Sequence, residues 1–293
     1  MSDARLTLGQ CAALASIIEA TAPKPGNVHR GADFEDVSYP DFVVSGIAIA
    51  PIFDRADELS LGQIVLSAVE ATQRFVGTNT NLGMILLFAP LAKVPRDQTL
   101  ETGVPNILAG LTAADTADVY AAIRAAKPGG LGKTPEADVN DSPPANLVDA
   151  MRLAASRDLV ARQYATNFDD VLHRIVPWLT SAINVKNLPL SDAVVHTFLQ
   201  MLAAEPDSLI ARKRGLEVAQ QASSRAARVL SVGEPNSDLY RECLADLDFW
   251  LRSDRHHRNP GTTADLMAAG LFACLRDGII QEPFRLGTAA SND

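Results

Sequence analysis

The stretch Phe42-Val-Val-Ser-Gly-Ile-Ala-Ile-Ala-Pro-Ile-Phe53 is apolar on nearly every side, and Asn81-Leu-Gly-Met-Ile-Leu-Leu-Phe-Ala-Pro-Leu-Ala-Lys-Val94 has the same character. An all-round apolar run of this length indicates a buried helix when its neighbours also show helical periodicity. Pro40 suits the first turn of the first helix, where a missing N–H is tolerated. We therefore expect two central buried helices, at Phe42–Phe53 and Asn81–Val94.

Helical periodicity extends through the rest of the chain. Apolar residues recur every three or four positions in several stripes, for example Leu8, Cys11, Ala15 and Ile18, or Leu239, Cys243, Leu247 and Trp250. Capping-box patterns begin at Ser60, Thr112 and Thr262. No segment alternates with period two. The sequence predicts an all-α fold, a multi-helix bundle without a significant sheet, in a single domain spanning 1–293, with a mobile loop at 127–144 that is rich in Gly, Pro and acids.

The composition excludes several classes of protein. Twenty-six Lys and Arg against 35 Asp and Glu give a net charge of −9, which lacks the basic footprint of a nucleic-acid binder. The longest apolar run, Met84–Ala92, is too short to cross a bilayer, for which about 20 residues are needed. The three cysteines have no paired spacing, and the polar residues 1–10 do not resemble a secretory signal, so we expect a cytoplasmic protein. We expect it to bind neither membranes nor nucleic acids.

The first of four unusual loops is Ala22-Pro-Lys-Pro-Gly-Asn-Val-His29. Its two prolines end the preceding helix and restrict Lys24, which suits a phosphate contact. His29, with Asp36 and other acids nearby, is a candidate acid, base or metal ligand. The alternative is a helix terminator with solvated charges.

The second and fourth loops share one design. In each, hydroxyl and amide side chains directly precede an apolar helix: Gly77-Thr-Asn-Thr-Asn-Leu-Gly83 and Asn259-Pro-Gly-Thr-Thr-Ala-Asp265. The free N–H groups of a helix N-terminus favour an anion. The alternative for both is simple capping, with Asp265 completing a capping box.

The third loop, Asp207-Ser-Leu-Ile-Ala-Arg-Lys-Arg-Gly215, places three cations in a row in an acidic protein. Such a cluster suits phosphates. The alternative is a solvated helix start.

Together, these four loops resemble the triphosphoribosyl-dephospho-CoA synthase family. The counterparts of the family motifs are Lys24-Pro25-Gly26, Gly77–Gly83, Asp207-Ser208 to Gly215, and Asn259-Pro-Gly-Thr-Thr-Ala-Asp265-Leu266. Their order and approximate spacing match over about residues 10–275. The resemblance implies an all-helical transferase that requires Mg²⁺ and joins ATP to dephospho-CoA. In that reaction a ribose hydroxyl of the acceptor attacks the anomeric carbon of ATP, and adenine leaves.

Roles for individual residues follow from the loops and the resemblance combined. We expect catalytic roles for His29, Asp36 and Asp265, and metal ligation by Asp36 and Glu70. Glu217 is a further candidate acid, base or metal ligand. The expected substrate-binding residues are Lys24, Gly26, Asn27, Thr78, Asn79, Asn81, Arg212, Lys213, Asn259, Gly261 and Thr262. The expected partners are ATP and a small-molecule acceptor.

The chain departs from the family at the expected site. Asn81 and Leu82 replace a His-Lys pair, and the acidic Asp-x-Asp element is reduced to Asp36-Val-Ser38. Two alternatives therefore remain open. One is another nucleotide-dependent transferase or ligase serving one-carbon cofactor synthesis, with pterin or furan carriers. The other is a non-catalytic nucleotide-binding protein. The acceptor, the general base and the oligomeric state are not fixed by the sequence.

Overall fold

The described part of the chain is helical almost throughout. The computed structural model describes residues 5–127, 143–235 and 237–287. Within them lie fourteen α-helices, a π-helical turn at Val171–Ile175 and the short strand β1 at Ser253–His256. The helices are α1 (Leu8–Thr21), α2 (Tyr39–Phe53), α3 (Leu61–Phe75), α4 (Leu82–Lys93), α5 (Leu100–Ala109), α6 (Ala113–Ala126), α7 (Leu147–Ala154), α8 (Leu159–Ala165), α9 (Val176–Asn184), α10 (Leu190–Ala204), α11 (Ser208–Arg214), α12 (Leu216–Ser231), α13 (Asp238–Arg252) and α14 (Gly261–Arg276). The all-α prediction is confirmed.

Two helices, α4 and α14, form the centre of the fold. Every α4 residue from Met84 to Ala92 is buried, and so is nearly all of α14. Phe88 of α4 stacks on Phe272 of α14 with ring centroids 4.9 Å apart, and Phe53 of α2 packs against both rings. The central position predicted for Asn81–Val94 is therefore correct. The second central helix is α14, at the other end of the sequence.

Helix α2 does not have the central position that its composition predicts. Val44 is 38% exposed and Ile47 58% exposed, whereas Ser45, Gly46 and Ile49 face inward. A Cβ at Gly46 would lie 3.1 Å from Cβ of Ser16, so α1 and α2 cross closely at this glycine. The prediction for Phe42–Phe53 is wrong in position, because apolar composition does not tell which neighbours cover a helix.

Two of the three capping boxes predicted from the sequence are present in the structure. Ser60 and Thr112 each form the predicted capping box with Gln63 and Asp115. At the third, α14 already begins at Gly261, and its N-cap residue Pro260 makes no side-chain capping bond. Asp265 is therefore inside the helix and is not a capping residue.

The buried apolar side chains of the described helices form one cluster. The predicted domain limits of 1–293 stay a prediction, and most of the predicted mobile loop lies outside the described residues. No helix in the described ranges is both long and apolar enough to span a membrane.

Candidate active site

A cavity of about 490 Å³ opens where the four loops meet. Its polar side is formed by the α1–α2 connection, the N-termini of α4 and α14, and the end of α11. Its apolar side is formed by α6, α7 and α8, through residues such as Ile123 and Met151. The polar lining comprises Glu19, Asn27, Asp36, Thr78, Asn79, Thr80, Asn81, Lys127, Arg157, Asp158, Arg212, Lys213, His256, Asn259, Thr262 and Asp265.

One direct hydrogen bond joins the first and fourth loops, and two more tie the first loop to α13. Nδ2 of Asn27 donates to Oδ1 of Asn259 at 2.6 Å, and the Gly26 N–H donates to Asp248 at 2.7 Å. Arg252 donates to the carbonyl of Asn27. Gly26 has a φ of 76°, a conformation that glycine adopts at little cost. These contacts hold Asn27 at the cavity wall.

The second loop presents the start of α4 to the cavity. Oδ1 of Asn79 accepts from the N–H of Leu82 at 3.1 Å, and the hydroxyls of Ser45 and Thr80 lie 2.5 Å apart. The side chain of Asn81, at the N-cap position, makes no capping bond. Capping therefore accounts for Asn79 but not for Asn81, which remains directed at the cavity.

The third and fourth loops are tied together by the buried Asp207. Its carboxylate caps α11 by accepting from Leu209 and Ile210, and it also accepts from the N–H and the hydroxyl of Thr263 at 2.7 and 2.8 Å. Ser208 donates to the hydroxyl of Thr262 at 3.1 Å. These hydrogen bonds hold the first turns of α11 and α14 together.

Arg212 is held at the cavity wall by an acid from α8. Its guanidinium lies 2.5 Å from Oδ2 of Asp158, while Oδ1 of Asp158 caps α8 through the N–H groups of Val160 and Ala161. Beside it, burial lowers the pKa of the half-buried Lys213, against the opposing charge of Asp36. Arg212 and Lys213 therefore line the cavity, whereas the third cation of α11, Arg214, pairs with Asp254 outside the lining.

Three buried polar atoms of the lining lack a hydrogen-bond partner. They are Oδ1 of Asn27, Nδ2 of Asn81 and Nε of Arg212. An unpaired buried polar atom costs about 1–3 kcal/mol, so three of them around one cavity indicate a polar ligand.

Asp265 is an acid of the site whose pKa is strongly raised. A Cβ at Gly83 would overlap its carboxylate, so the acid lies directly against the first turn of α4. Burial raises the pKa of Asp265 well above its usual value, and the nearby charges of Glu19, Asp207 and Asp158 raise it further, while Arg212 opposes them. An acid with a raised pKa at a cavity wall is suited to acid–base chemistry.

The sequence profile of the CitG family, described as ATP:dephospho-CoA triphosphoribosyl transferase, matches residues 5–283. The chain belongs to this family. A crystal structure from Archaeoglobus fulgidus, assigned the name triphosphoribosyl-dephospho-CoA synthase, is similar with a TM-score of 0.61 and 26% identity. The match covers 80% of this chain and 98% of that one. No curated protein matches the sequence. The resemblance inferred from the four loops is confirmed, and the protein is a transferase of the triphosphoribosyl-dephospho-CoA synthase type.

Most predicted site residues of this CitG-family transferase line the cavity. They are Asn27, Asp36, Thr78, Asn79, Asn81, Arg212, Lys213, Asn259, Gly261, Thr262 and Asp265. Asp36 is at the mouth, 64% exposed and 3.7 Å from Nδ1 of His256. Their chemical roles remain predictions.

Four predicted residues are not part of the cavity lining. Lys24 is fully buried and faces Glu19, and Gly26 packs against Leu251 and Pro260. His29 accepts from the Gly31 N–H, and burial lowers its pKa. Glu70 is exposed on α3, as is the further candidate Glu217 on α12. The structure does not bring these side chains into the lining, because a motif gives the order of residues but not the direction of each side chain; their roles stay predictions.

Sequence reasoning missed Glu19 and Asp158. Glu19 falls on the buried face of α1, one residue after Ile18. Because acids are almost never fully buried unless paired, this position could have identified Glu19 from the sequence. Asp158 carried no such signal, because its contact with Arg212 spans 54 positions along the chain.

The acids of the CitG-family cavity do not form a dedicated metal cage. No group of three or more His, Cys, Asp or Glu with suitable spacing occurs among the described residues. Mg²⁺ usually binds through one or two carboxylates together with substrate phosphates and waters. The donor set therefore fits a magnesium ion that enters with a polyphosphate, and Asp36 at the mouth is the most accessible of the predicted ligands.

Proposed function

We propose that this CitG-family protein transfers the triphosphoribosyl group of ATP to a hydroxyl of dephospho-CoA or a related acceptor, with release of adenine. The observation that carries the proposal is the convergence of three unpartnered polar atoms, two helix N-termini and the α11 cations Arg212 and Lys213 on one cavity. Anions are stabilised at helix N-termini, and arginine matches phosphate geometry. ATP supplies the complementary charge.

The triphosphate occupies the polar side of the cavity in this proposal. Arg212 and Lys213 contact the phosphates, and the first turns of α4 and α14 supply N–H groups. Asn27 and Asn81 bind the ribose through the amide atoms that have no partner in the protein. Thr78, Asn79, Asn259, Gly261 and Thr262 shape this half of the cavity.

In this reaction one bond to C1′ is exchanged for another, and the acceptor loses one proton while adenine gains one. The acceptor oxygen bonds to C1′ of the ribose, the C1′–N9 bond breaks, and its electron pair leaves with adenine. Adenine takes up a proton and the acceptor hydroxyl loses one. Asp265, whose pKa is raised by burial and by the nearby acids, supplies the proton that adenine takes up.

Mg²⁺ is part of this proposal. When bound, the ion offsets charge on the triphosphate, with Asp36 as the residue that would hold it. Glu70 has no place in the proposal, because it lies outside the cavity lining. A cytoplasmic location also belongs to it, since Cys11, Cys243 and Cys274 are all free thiols.

The acceptor is the least constrained part of the proposal. Leu82 lines the cavity at the position where the family motif has a lysine, which removes a cation from the site. A less anionic acceptor than dephospho-CoA, such as a pterin or furan carrier of one-carbon units, is therefore the second candidate. The apolar wall of α6, α7 and α8 would suit the ring of such a carrier.

The deciding experiment follows the fate of ATP by chromatography and mass spectrometry. Purified protein is incubated with ATP and Mg²⁺, alone and with dephospho-CoA or a one-carbon carrier. We expect free adenine in equal amount with an acceptor that has gained a triphosphoribosyl group. Formation of ADP, or of AMP and pyrophosphate, would instead identify a kinase or ligase. Tight ATP binding without any product would identify a binding protein.

A matched pair of variants tests the assignment of the cavity. Arg212→Gln removes a cation from the lining, whereas Arg241→Gln removes an exposed one from α13. We expect adenine release to fall in the first variant alone.

A further inference from the structure

Lys24 and Glu19 form a buried ion pair beside the cavity. Nζ of Lys24 lies 2.9 Å from Oε1 of Glu19, and their side chains are 0% and 3% exposed. The ammonium also donates to the carbonyls of Glu19 and, at 3.3 Å, Ala22. Its three donors are thereby satisfied inside the protein. Lys24 cannot reach a phosphate while it makes these contacts.

Glu19, by contrast, belongs to the cavity lining. In the described part of the chain its carboxylate has no salt-bridge partner besides Lys24. A buried ion pair contributes little net stability, since the loss of solvation offsets most of the attraction. The position of the pair between α1 and the cavity therefore points to a role in the chemistry.

We infer that Glu19, positioned by Lys24, is a second carboxylate of the active site, which accepts the proton of the acceptor hydroxyl while Asp265 supplies the proton that adenine takes up. The inference rests on the proposed function and completes its proton balance. The acceptor O–H proton passes to Glu19, the new C–O bond forms at C1′, and the departing nitrogen receives the Asp265 proton. Two carboxylates with opposite duties are the usual solution for displacement at an anomeric carbon.

The surrounding charges affect the pKa values of Glu19 and Asp265 differently. Burial raises the pKa of Glu19, while the adjacent Lys24 ammonium opposes that rise. Asp265 has no such cation in contact. It is faced by Glu19 from α1, Asp158 at the start of α8, and Asp207 and Arg212 at α11. The Lys24 ammonium is in contact with Glu19 and not with Asp265, so it favours the ionised form of Glu19, and we assign the proton of this group of acids to Asp265.

The first test separates turnover from binding. Glu19→Gln keeps the shape of the side chain but cannot accept a proton. We expect kcat to fall by about 100-fold or more, with the Kd for ATP changed by less than about threefold. Glu58→Gln is the matched control, because Glu58 is an exposed acid outside the cavity lining. A kcat near that of the wild type for Glu19→Gln overturns the inference.

The second test uses the pH profile of kcat. Lys24→Met removes the charge that favours ionised Glu19, so the acidic limb of the profile should move to higher pH. A lysine that only supported the fold would lower the yield of active protein without moving the limb. If Lys24→Met folds poorly, the double variant Lys24→Met with Glu19→Gln removes both charges and should recover folding while remaining as inactive as Glu19→Gln. An unmoved limb, or an active double variant, contradicts the role of the pair.

A third measurement does not depend on turnover. At neutral pH the infrared band of protonated carboxyl groups should lose intensity in Asp265→Asn and stay unchanged in Glu58→Gln. An unchanged band in Asp265→Asn would overturn the proton assignment even if adenine release confirms the proposed function. If wild-type protein releases no adenine, the proposed function fails, and a loss of the band still supports the location of the proton.

Discussion

The carboxylate of Asp207 accepts hydrogen bonds from both the backbone N–H and the hydroxyl of Thr263, at 2.7 and 2.8 Å. The same carboxylate caps α11. One buried acid thus fixes the helix that carries Arg212 and Lys213 against the helix that carries Asp265. The geometry of the cavity depends on this contact between α11 and α14.

Replacing Asp207 with alanine should therefore destabilise the protein and weaken ligand binding together. Loss of two capping bonds and two bonds to Thr263 should lower the free energy of unfolding by about 2–4 kcal/mol. Urea denaturation monitored by circular dichroism measures the change. Asp149→Ala on the exposed side of α7 is the control, and it should change the free energy of unfolding by less than about 0.5 kcal/mol. Equal effects of the two substitutions would contradict the role given to Asp207.

Gly83→Ala should impair the site far more than Gly77→Ala. A Cβ at Gly83 would overlap the Asp265 carboxylate, whereas one at Gly77 would meet no atom within 4 Å. Relief of the overlap requires a shift of Asp265 or of the first turn of α4. Since misplacement by about 1 Å can lower turnover by about 100-fold, we expect a fall of that order for Gly83→Ala alone. Steady-state kinetics on both variants, with ATP as donor, decide the matter.

Asp265→Asn should stabilise the protein at neutral pH while lowering its activity. The folded-state pKa of Asp265 is raised above its unfolded value of about 3.9, so the folded state binds the proton more tightly. The free energy of unfolding therefore falls as pH rises from about 4 through the folded-state pKa. The variant lacks this fall, so its advantage in the free energy of unfolding should grow as the pH rises from about 4 towards 7.

Thermal unfolding of wild type and Asp265→Asn at several pH values measures this difference. The two curves should converge below about pH 4, where the wild-type acid is protonated in both states. A variant that is less stable than the wild type at pH 7 would show that Asp265 is ionised in the folded protein.

Arg212→Lys should weaken ATP binding more than Asp158→Asn. Lysine keeps the charge but lacks the unpartnered Nε–H and the planar fork, so we expect a loss of about 10- to 100-fold in affinity. Asparagine keeps the cap of α8 and loses only the charge that holds Arg212, which should cost about three- to tenfold. Calorimetric titration with ATP measures both.

The two substitutions should also be coupled. Asp158 is expected to act through Arg212, so Asp158→Asn should have little further effect in the Arg212→Lys background. Additive losses of affinity would show that Asp158 contacts the ligand by itself.

Local features of this fold were predictable, because the physics behind them is local. The capping boxes at Ser60 and Thr112 require residues only three positions apart, and the structure has both. The helix of Met84–Ala92 is apolar throughout and is buried as expected. The family motifs also identified the loops that line the cavity, since their order along the chain could be compared directly.

Side-chain direction was not predictable, because it depends on contacts between distant segments. Lys24 has the sequence context of a phosphate ligand, but Glu19 lies on the buried face of α1 and captures its ammonium. Phe42–Phe53 was expected at the centre, yet Ile47 faces outward because the opposite side of α2 packs on α1. Periodicity predicts the helix, and the neighbouring helices decide which face is covered.

The hydrogen bond between Asn27 and Asn259 joins residues 232 positions apart. A ribosome must therefore synthesise nearly the whole polypeptide before the two walls of the cavity can meet. Closing so long a loop is slow compared with forming a single helix, so catalytic competence should be among the last properties to appear during folding. A nascent or truncated chain that ends before α14 lacks one wall of the cavity, so we expect it to have no transferase activity.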